Sequence, residues 1–236
     1  MARKAASKKP APAEASASTE ASTETSLSDR AYNDLESMIV TLKLAPGSAV
    51  SEAALSERLG IGRTPIREAL QRLARERLVT ILPRRGIIVS EINIKSQLRL
   101  LEVRREVERL VARSAARRAT PEERERFAHM AREFEKAAKS NDEVTFMRVD
   151  RDYNELTVVA ARNEFAAGAM NLVHSLSRRF WYIHYKQAAD MPRAAKLHAD
   201  VARSIAAQDE DAAAAASDKL LGYIEQFTRD TVSADS

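Results

Sequence analysis

Cysteine is absent from all 236 residues, which excludes disulfide frameworks, thiolate zinc fingers and cysteine nucleophiles. The absence suits a reducing compartment, and a cytoplasmic location is the expectation. No uninterrupted apolar stretch approaches the ~20 residues of a membrane helix, and mean hydropathy is −0.39, so no membrane partner is expected. The chain also lacks a glycine-rich phosphate loop, an HExxH pair and a nucleophile elbow, so an enzyme is not expected. An internal repeat is missing too. The hydrophobic share of 44% is ordinary, and the length suffices for one large core or two small ones.

Charge is present, and its placement matters more than its total. The net charge is +4 and the pI is near 9.4. Between Arg58 and Gly86 eight arginines face only Glu68 and Glu76, a local balance of +6 that exceeds that of the whole chain. A polyanionic partner is the natural reading of such a cluster. Residues 1–26 form a different kind of segment. They are Ala, Ser, Thr, Pro, Glu and Lys with no large apolar side chain after Met1, so a disordered tail is expected, without the apolar core of a secretory leader.

Three short helical patterns follow the tail. The first carries Tyr32, Leu35, Ile39 and Leu42 and stops at Ala45-Pro46-Gly47. The second runs from Ser51 to Gly60, and the third enters through Gly62 with Pro65 in its first turn. Two β-branched runs, LVTIL and IIVSE, joined by Pro83-Arg84-Arg85-Gly86, predict a hairpin. From Asn93 onward only helices are expected, with breaks near Thr120-Pro121, Ser140-Asn141, Asn163, Asp190-Met191-Pro192 and Asp209. The fold class is therefore mainly α: a winged helix-turn-helix over 27–91, then an all-helical bundle of about six helices over 93–231.

In a helix-turn-helix the start of the second helix enters the major groove. Here that start is Gly62-Arg63-Thr64-Pro65-Ile66-Arg67, with Arg63 and Arg67 on one face and Ile66, Ala69, Leu70 and Leu73 aimed at the core. An arginine that grips guanine O6 and N7 contributes about 1–3 kcal/mol of base discrimination. Arg84 and Arg85 at the hairpin tip would lie against the DNA backbone or minor groove, with Gly86 permitting the close turn. The plainer alternative is a solvated face whose arginines pair with Glu68 and Glu76. Several arginines gathered at a helix start and a hairpin tip favour DNA.

In the bundle, Leu100, Arg104, Val107, Val111 and Ala115 share a stripe, which aims Arg104 inward. A buried guanidinium needs an anion. Glu108, one turn on, would supply it structurally, and a bound carboxylate effector would supply it functionally through the planar fork of donors. Asp150 and Asn154 share a face with Phe146, and His198 sits in an apolar stripe with Val201, Ala202 and Ile205. Polar groups planted in two apolar stripes point to a common effector site of Arg104, Asp150, Asn154 and His198. His174, Trp181, Tyr182, His184 and Tyr185 on helix 163–188 read first as packing residues and second as pocket lining; Arg178 and Arg179 read as surface or interface positions.

The run PGSAVSEAALSERLGIGRTPIREALQRLARERLVTILPRRGIIV resembles the N-terminal domain of the GntR family of bacterial regulators. That resemblance implies operator contacts at Arg63, Thr64, Arg67, Arg85 and Gly86. Gly62 departs from the usual Ser or Thr cap, and Ala53 from an arginine that some members carry. The stretches LEVRREVERLVARSAARRATPEE, DRDYNELTVVAARNEF and HADVARSIAAQDEDAAAAASDKL resemble the FCD ligand-binding domain of the FadR subfamily. A homodimeric repressor on a pseudo-palindromic double-stranded operator, tuned by a small organic acid, is what the resemblance implies. The alternative is an architectural DNA-binding protein whose bundle only dimerises. Many members hold a divalent metal with an Asp, a His four residues on, and two more His spaced 22 apart. This chain keeps Asp150 and His198 but has Asn154 and Leu220 at the other two places, so a metal on Asp150, Asn154 and His198 is disfavoured and no cofactor is assigned.

Overall fold

The structure, a computed structural model, describes residues 26–83, 86–188 and 190–234. The tail, read as disordered from sequence, lies outside these residues up to position 25, and so do Arg84 and Arg85 at the hairpin tip. The order of elements is α1 (Leu27–Val40), β1 (Ala49–Val50), α2 (Glu52–Leu59), α3 (Arg63–Arg75), β2 (Val79–Leu82) and β3 (Gly86–Val89). Six helices follow: α4 (Ile94–Arg118), α5 (Pro121–Ser140), α6 (Glu143–Ala161), α7 (Glu164–Ala188), α8 (Met191–Ala206) and α9 (Glu210–Ala234).

Local chemistry sets the boundaries of the first unit. Ser26 starts α1 by accepting from Asp29 N at 3.0 Å, so the last residue assigned to the tail is in fact a helix cap. Ser51 Oγ accepts from Ala54 N at 3.2 Å to start α2, and Gly60 ends it at φ 62°, a left-handed position that suits a residue without Cβ. Leu42 does not extend the α1 stripe as expected. The helix ends at Val40, Thr41 turns its hydroxyl back to Ser37 O at 2.7 Å, Leu42 takes φ 62°, and Met38 and Leu44 fill the core instead.

The hairpin forms with Val79 opposite Val89 and Leu82 opposite Gly86. A third strand, β1, joins it with Ala49 opposite Ile88, giving the order β1-β3-β2. Two residues are too few to show the alternation that marks a strand in sequence. Leu35, Ile39, Leu55, Ile66, Leu70, Leu73, Leu78 and Val89 form the core beneath, each contributing about 1.5–3 kcal/mol of apolar burial.

The second unit is the expected six-helix bundle. Thr120 and Glu123 form a reciprocal capping box, with Thr120 N donating to Glu123 Oε2 at 2.9 Å and Pro121 in the first turn of α5. The α5 helix lies on α8 and α4 on α9. Phe127, Phe134, Phe146, Tyr153, Ile205 and Leu221 fill the space between them. A smaller apolar cluster joins Val111 of α4 to Ala166, Met170 and Val173 of α7, with Leu100 and Val107 at its edge. The two units meet where α1 lies against α7 and Leu176 packs onto the winged core.

Candidate nucleic-acid interface and ligand cavity

The start of α3 is built to accept an anion. Gly62 has no side chain to cap it, and no acidic residue stands in its first turn. Its unsatisfied N–H groups and the positive end of the helix dipole therefore stay open. Arg63, Thr64 and Arg67 are exposed, while Ile66, Ala69, Leu70 and Leu73 on the other face are buried.

Arg67 is not loose, however. Its Nε donates to Glu52 Oε1 at 2.9 Å and its Nη2 to Glu52 Oε2 at 2.7 Å. The hydrogen bond from Arg67 holds the Glu52 carboxyl below its ordinary range. So open a pair contributes little to stability, but its forked geometry fixes the direction of the guanidinium. The plainer alternative paired the arginines with Glu68 and Glu76. Glu76 does pair with one of them, Arg72, whose Nε donates to Oε1 at 3.4 Å, and it is buried and also accepts from Tyr32 Oη at 2.7 Å, while Glu68 accepts from the Ser28 hydroxyl. Glu52 was missed because the turn between α2 and α3, not sequence spacing, brings it to Arg67. At the hairpin, Gly86 has φ 99°, a backbone conformation that favours glycine, although an added Cβ would meet Val50 O only in ordinary contact at 3.6 Å.

The bundle holds a cavity walled by α4, α6, α7, α8 and α9. Arg104, Asp150, Asn154 and His198 all line it, together with His174, Trp181 and the apolar Phe146, Phe180, Ile224 and Phe227. Its volume is about 50 Å³. That is room for about four waters or one acid the size of acetate, and well below the ~150 Å³ of a cavity that takes benzene.

His198 is buried and fully occupied. Nδ1 donates to Ala194 O at 2.8 Å, and Nε2 lies 3.1 Å from Asp150 Oδ1. The ring sits among Phe134, Phe146 and Tyr153 at centroid distances of 5.2, 5.5 and 5.8 Å. Burial works against the Asp150 carboxylate, but the hydrogen bond from His198 and the charges of His198, Arg178 and Arg104 outweigh it and hold the group below its ordinary range. Arg104, 8% exposed, gives its Nε to Glu108. Its Nη1 and Nη2 have no hydrogen-bond partner among the described residues. His174 is held neutral, its pKa lowered to about 4 by burial.

These residues do not suit a tightly held divalent ion. His198 has the orientation of a metal ligand, with Nδ1 locked on a backbone carbonyl. Yet Asn154 is a weak donor, Leu220 is buried in the core, and no three His, Asp or Glu side chains converge among the described residues.

Two sequence readings need correction. His174 and Trp181 are cavity lining, not merely packing. Arg178 lines the cavity as well, and Arg179 is only 1% exposed, so neither is an open surface residue. Both sit at the seam between the units: Arg178 Nη1 pairs with Glu36 Oε1 at 3.1 Å, and Arg179 Nη2 donates to Ser90 O. The spacing 174, 178, 181 was the available signal, because it puts Arg178 on the same stripe as His174 and Trp181.

Residues 27–89 match the family described as bacterial regulatory proteins, gntR family, and residues 99–222 match the FCD domain. An HTH-type transcriptional repressor, RspR of Escherichia coli K12, is 25% identical over 198 residues, covering 84% of this chain and 87% of that one. An uncharacterised HTH-type transcriptional regulator of Streptomyces ambofaciens is 47% identical over 62 residues, 26% of each chain, so this chain spans about a quarter of it. Among solved structures, E. coli McbR/YncC superposes with a TM-score of 0.75 at 18% identity, over 89% of this chain and 100% of that one, a likeness of fold. Among the described residues no helix is long and apolar enough to cross a membrane. A winged helix-turn-helix followed by an FCD bundle, matched in both halves, places the chain in the GntR family of bacterial regulatory proteins, within its FadR subfamily.

Proposed function

We propose that the protein is a repressor that grips a pseudo-palindromic operator as a homodimer and answers to a small organic acid held in the bundle. One observation carries the DNA half: Arg63, Thr64 and Arg67 stand exposed at an acid-free helix start. Arg67 reads a base edge, Arg63 and Thr64 take phosphate or base, and Arg84, Arg85 and Gly86 follow the adjoining groove. The name of the RspR relative supports repression.

The sensing half rests on a mostly apolar cavity whose lining includes the guanidinium groups of Arg104 and Arg178. Such forks suit a carboxylate, with Asp150, Asn154 and His198 ordering the far wall. A homodimer is supported by an apolar strip outside the bundle, where Val103, Leu110 and Leu172 are 54%, 48% and 37% exposed. The bundle would then set the spacing of two winged units on successive half-sites, and the acid would alter it.

The test is DNA binding by the full chain to duplexes selected from a random pool. Arg67→Ala is expected to lower affinity and flatten sequence preference, with a steep loss of binding as salt rises in the wild type. Unchanged affinity and preference in Arg67→Ala would remove α3 as the reading element.

A further inference from the structure

Three fully buried donors on side chains that line the cavity have no acceptor, and all three stand on α7. Ser177 Oγ, Arg178 Nε and Trp181 Nε1 are buried without a hydrogen-bond partner among the described residues, and each of these side chains lines the cavity. Their spacing puts them on one face of the helix. Buried donors without acceptors are rare and costly, and a row of them beside a void marks a place for an acceptor. Asp150, the one carboxylate lining the cavity, already faces His198. The walls opposite are apolar, from Phe146, Ile224 and Phe227.

Arg178 also reaches out of the bundle. Its Nη1 lies 3.1 Å from Oε1 of Glu36, a residue of α1 that is 9% exposed. One guanidinium thus touches both the cavity and the winged unit. The Arg104–Glu108 pair differs in this respect, because both partners belong to α4 and their rearrangement moves no other element.

We propose that Ser177, Arg178 and Trp181 bind the carboxylate of a small acid of acetate size, and that this acid competes with Glu36 for Arg178, so that α1 reads the state of the cavity. This rests on the reading of the cavity as an acid sensor and names the anchor and the relay within it. Competition for one guanidinium is a coupling free energy, and it is reciprocal: whatever loosens Glu36 from Arg178 tightens the acid.

Acetate serves as probe and acetamide as its uncharged control, titrated into the full chain. The single tryptophan, Trp181, reports binding by its emission. Acetate is expected to shift that emission and acetamide to do so far less. Ser177→Ala is expected to weaken acetate by about fivefold or more. Glu36→Gln, which keeps the side-chain volume, is expected to tighten it by about fivefold or more and to abolish the effect of acetate on affinity for a duplex selected with the wild type. Arg178→Lys, a second variant with the charge retained, is expected to lose both the tight binding and the effect on DNA.

If Ser177→Ala and Glu36→Gln bind acetate as the wild type does while Arg104→Gln loses it, the anchor lies on α4; the relay is then overturned and the sensor stands. If neither acetate nor formate at millimolar concentration moves Trp181 emission or the melting temperature of the wild type, the relay and the acid sensor fall together.

Discussion

The winged unit and the helical bundle treat their polar groups in opposite ways. In the winged unit the arginines that matter are outside, and Arg67 is held there by an exposed pair with Glu52. In the bundle the polar groups are inside, and several are already answered: His198 by Asp150 and Ala194, and the Nε of Arg104 by Glu108. An exposed charge can be spent on a partner at little cost, whereas a buried one must be either matched at home or left waiting for a ligand. The first kind of site shows in sequence as a cluster. The second shows only when the walls are assembled.

The sharpest way to break that contrast is to remove a buried partner. Asp150→Ala leaves His198 without its acceptor in an aromatic cage, and a loss of about 3–5 kcal/mol in urea unfolding is expected, with little change for Arg67→Ala. Equal losses for the two would erase the distinction.

His174 supplies a pH version of the same test. Its folded pKa of about 4 lies below the ordinary 6.5, so between those values the unfolded chain binds the extra proton. Stability on this account falls as pH drops from about 6.5 toward 4, by roughly 2–3 kcal/mol, and is intact above that window. The difference in unfolding free energy between the wild type and His174→Gln should follow this slope. A difference that stays flat with pH would put His174 in water.

On the winged side, Arg67→Ala should cost roughly tenfold or more in preference for the selected duplex, while thermal unfolding stays put. Glu52→Gln should cost less, since it frees the guanidinium without deleting it. Smallest is Gly60→Ala, where a left-handed position acquires a Cβ in open space; about 1 kcal/mol of stability is expected, read from the melting temperature.

Much of this was legible in the residues themselves. Ser51 with Gly60, Thr120-Pro121 with Glu123, and Asp190 before Pro192 mark helix ends by local bonds, and the structure ends its helices there. The inward aim of Arg104 and the placement of Asp150 and His198 on apolar stripes followed from helical period, and all three line one cavity. Contacts made by the tertiary arrangement were not legible. Glu52 reaches Arg67 across a turn, Glu36 reaches Arg178 over 142 positions, and β1 exists only because β3 offers it an edge. Arg178 and Arg179 read as surface or interface positions because two adjacent arginines on one helix ordinarily point outward. Here a second unit covers them.

Arg179 gives that seam its character. It is nearly sealed from water, keeps one bond to Ser90 O, and leaves Nε and Nη1 without partners; burial pulls its pKa below the ordinary value, with Glu91 pulling the other way. Opening this seam would return the guanidinium to its hydration shell, and that gain would offset part of the apolar contact given up around Leu176.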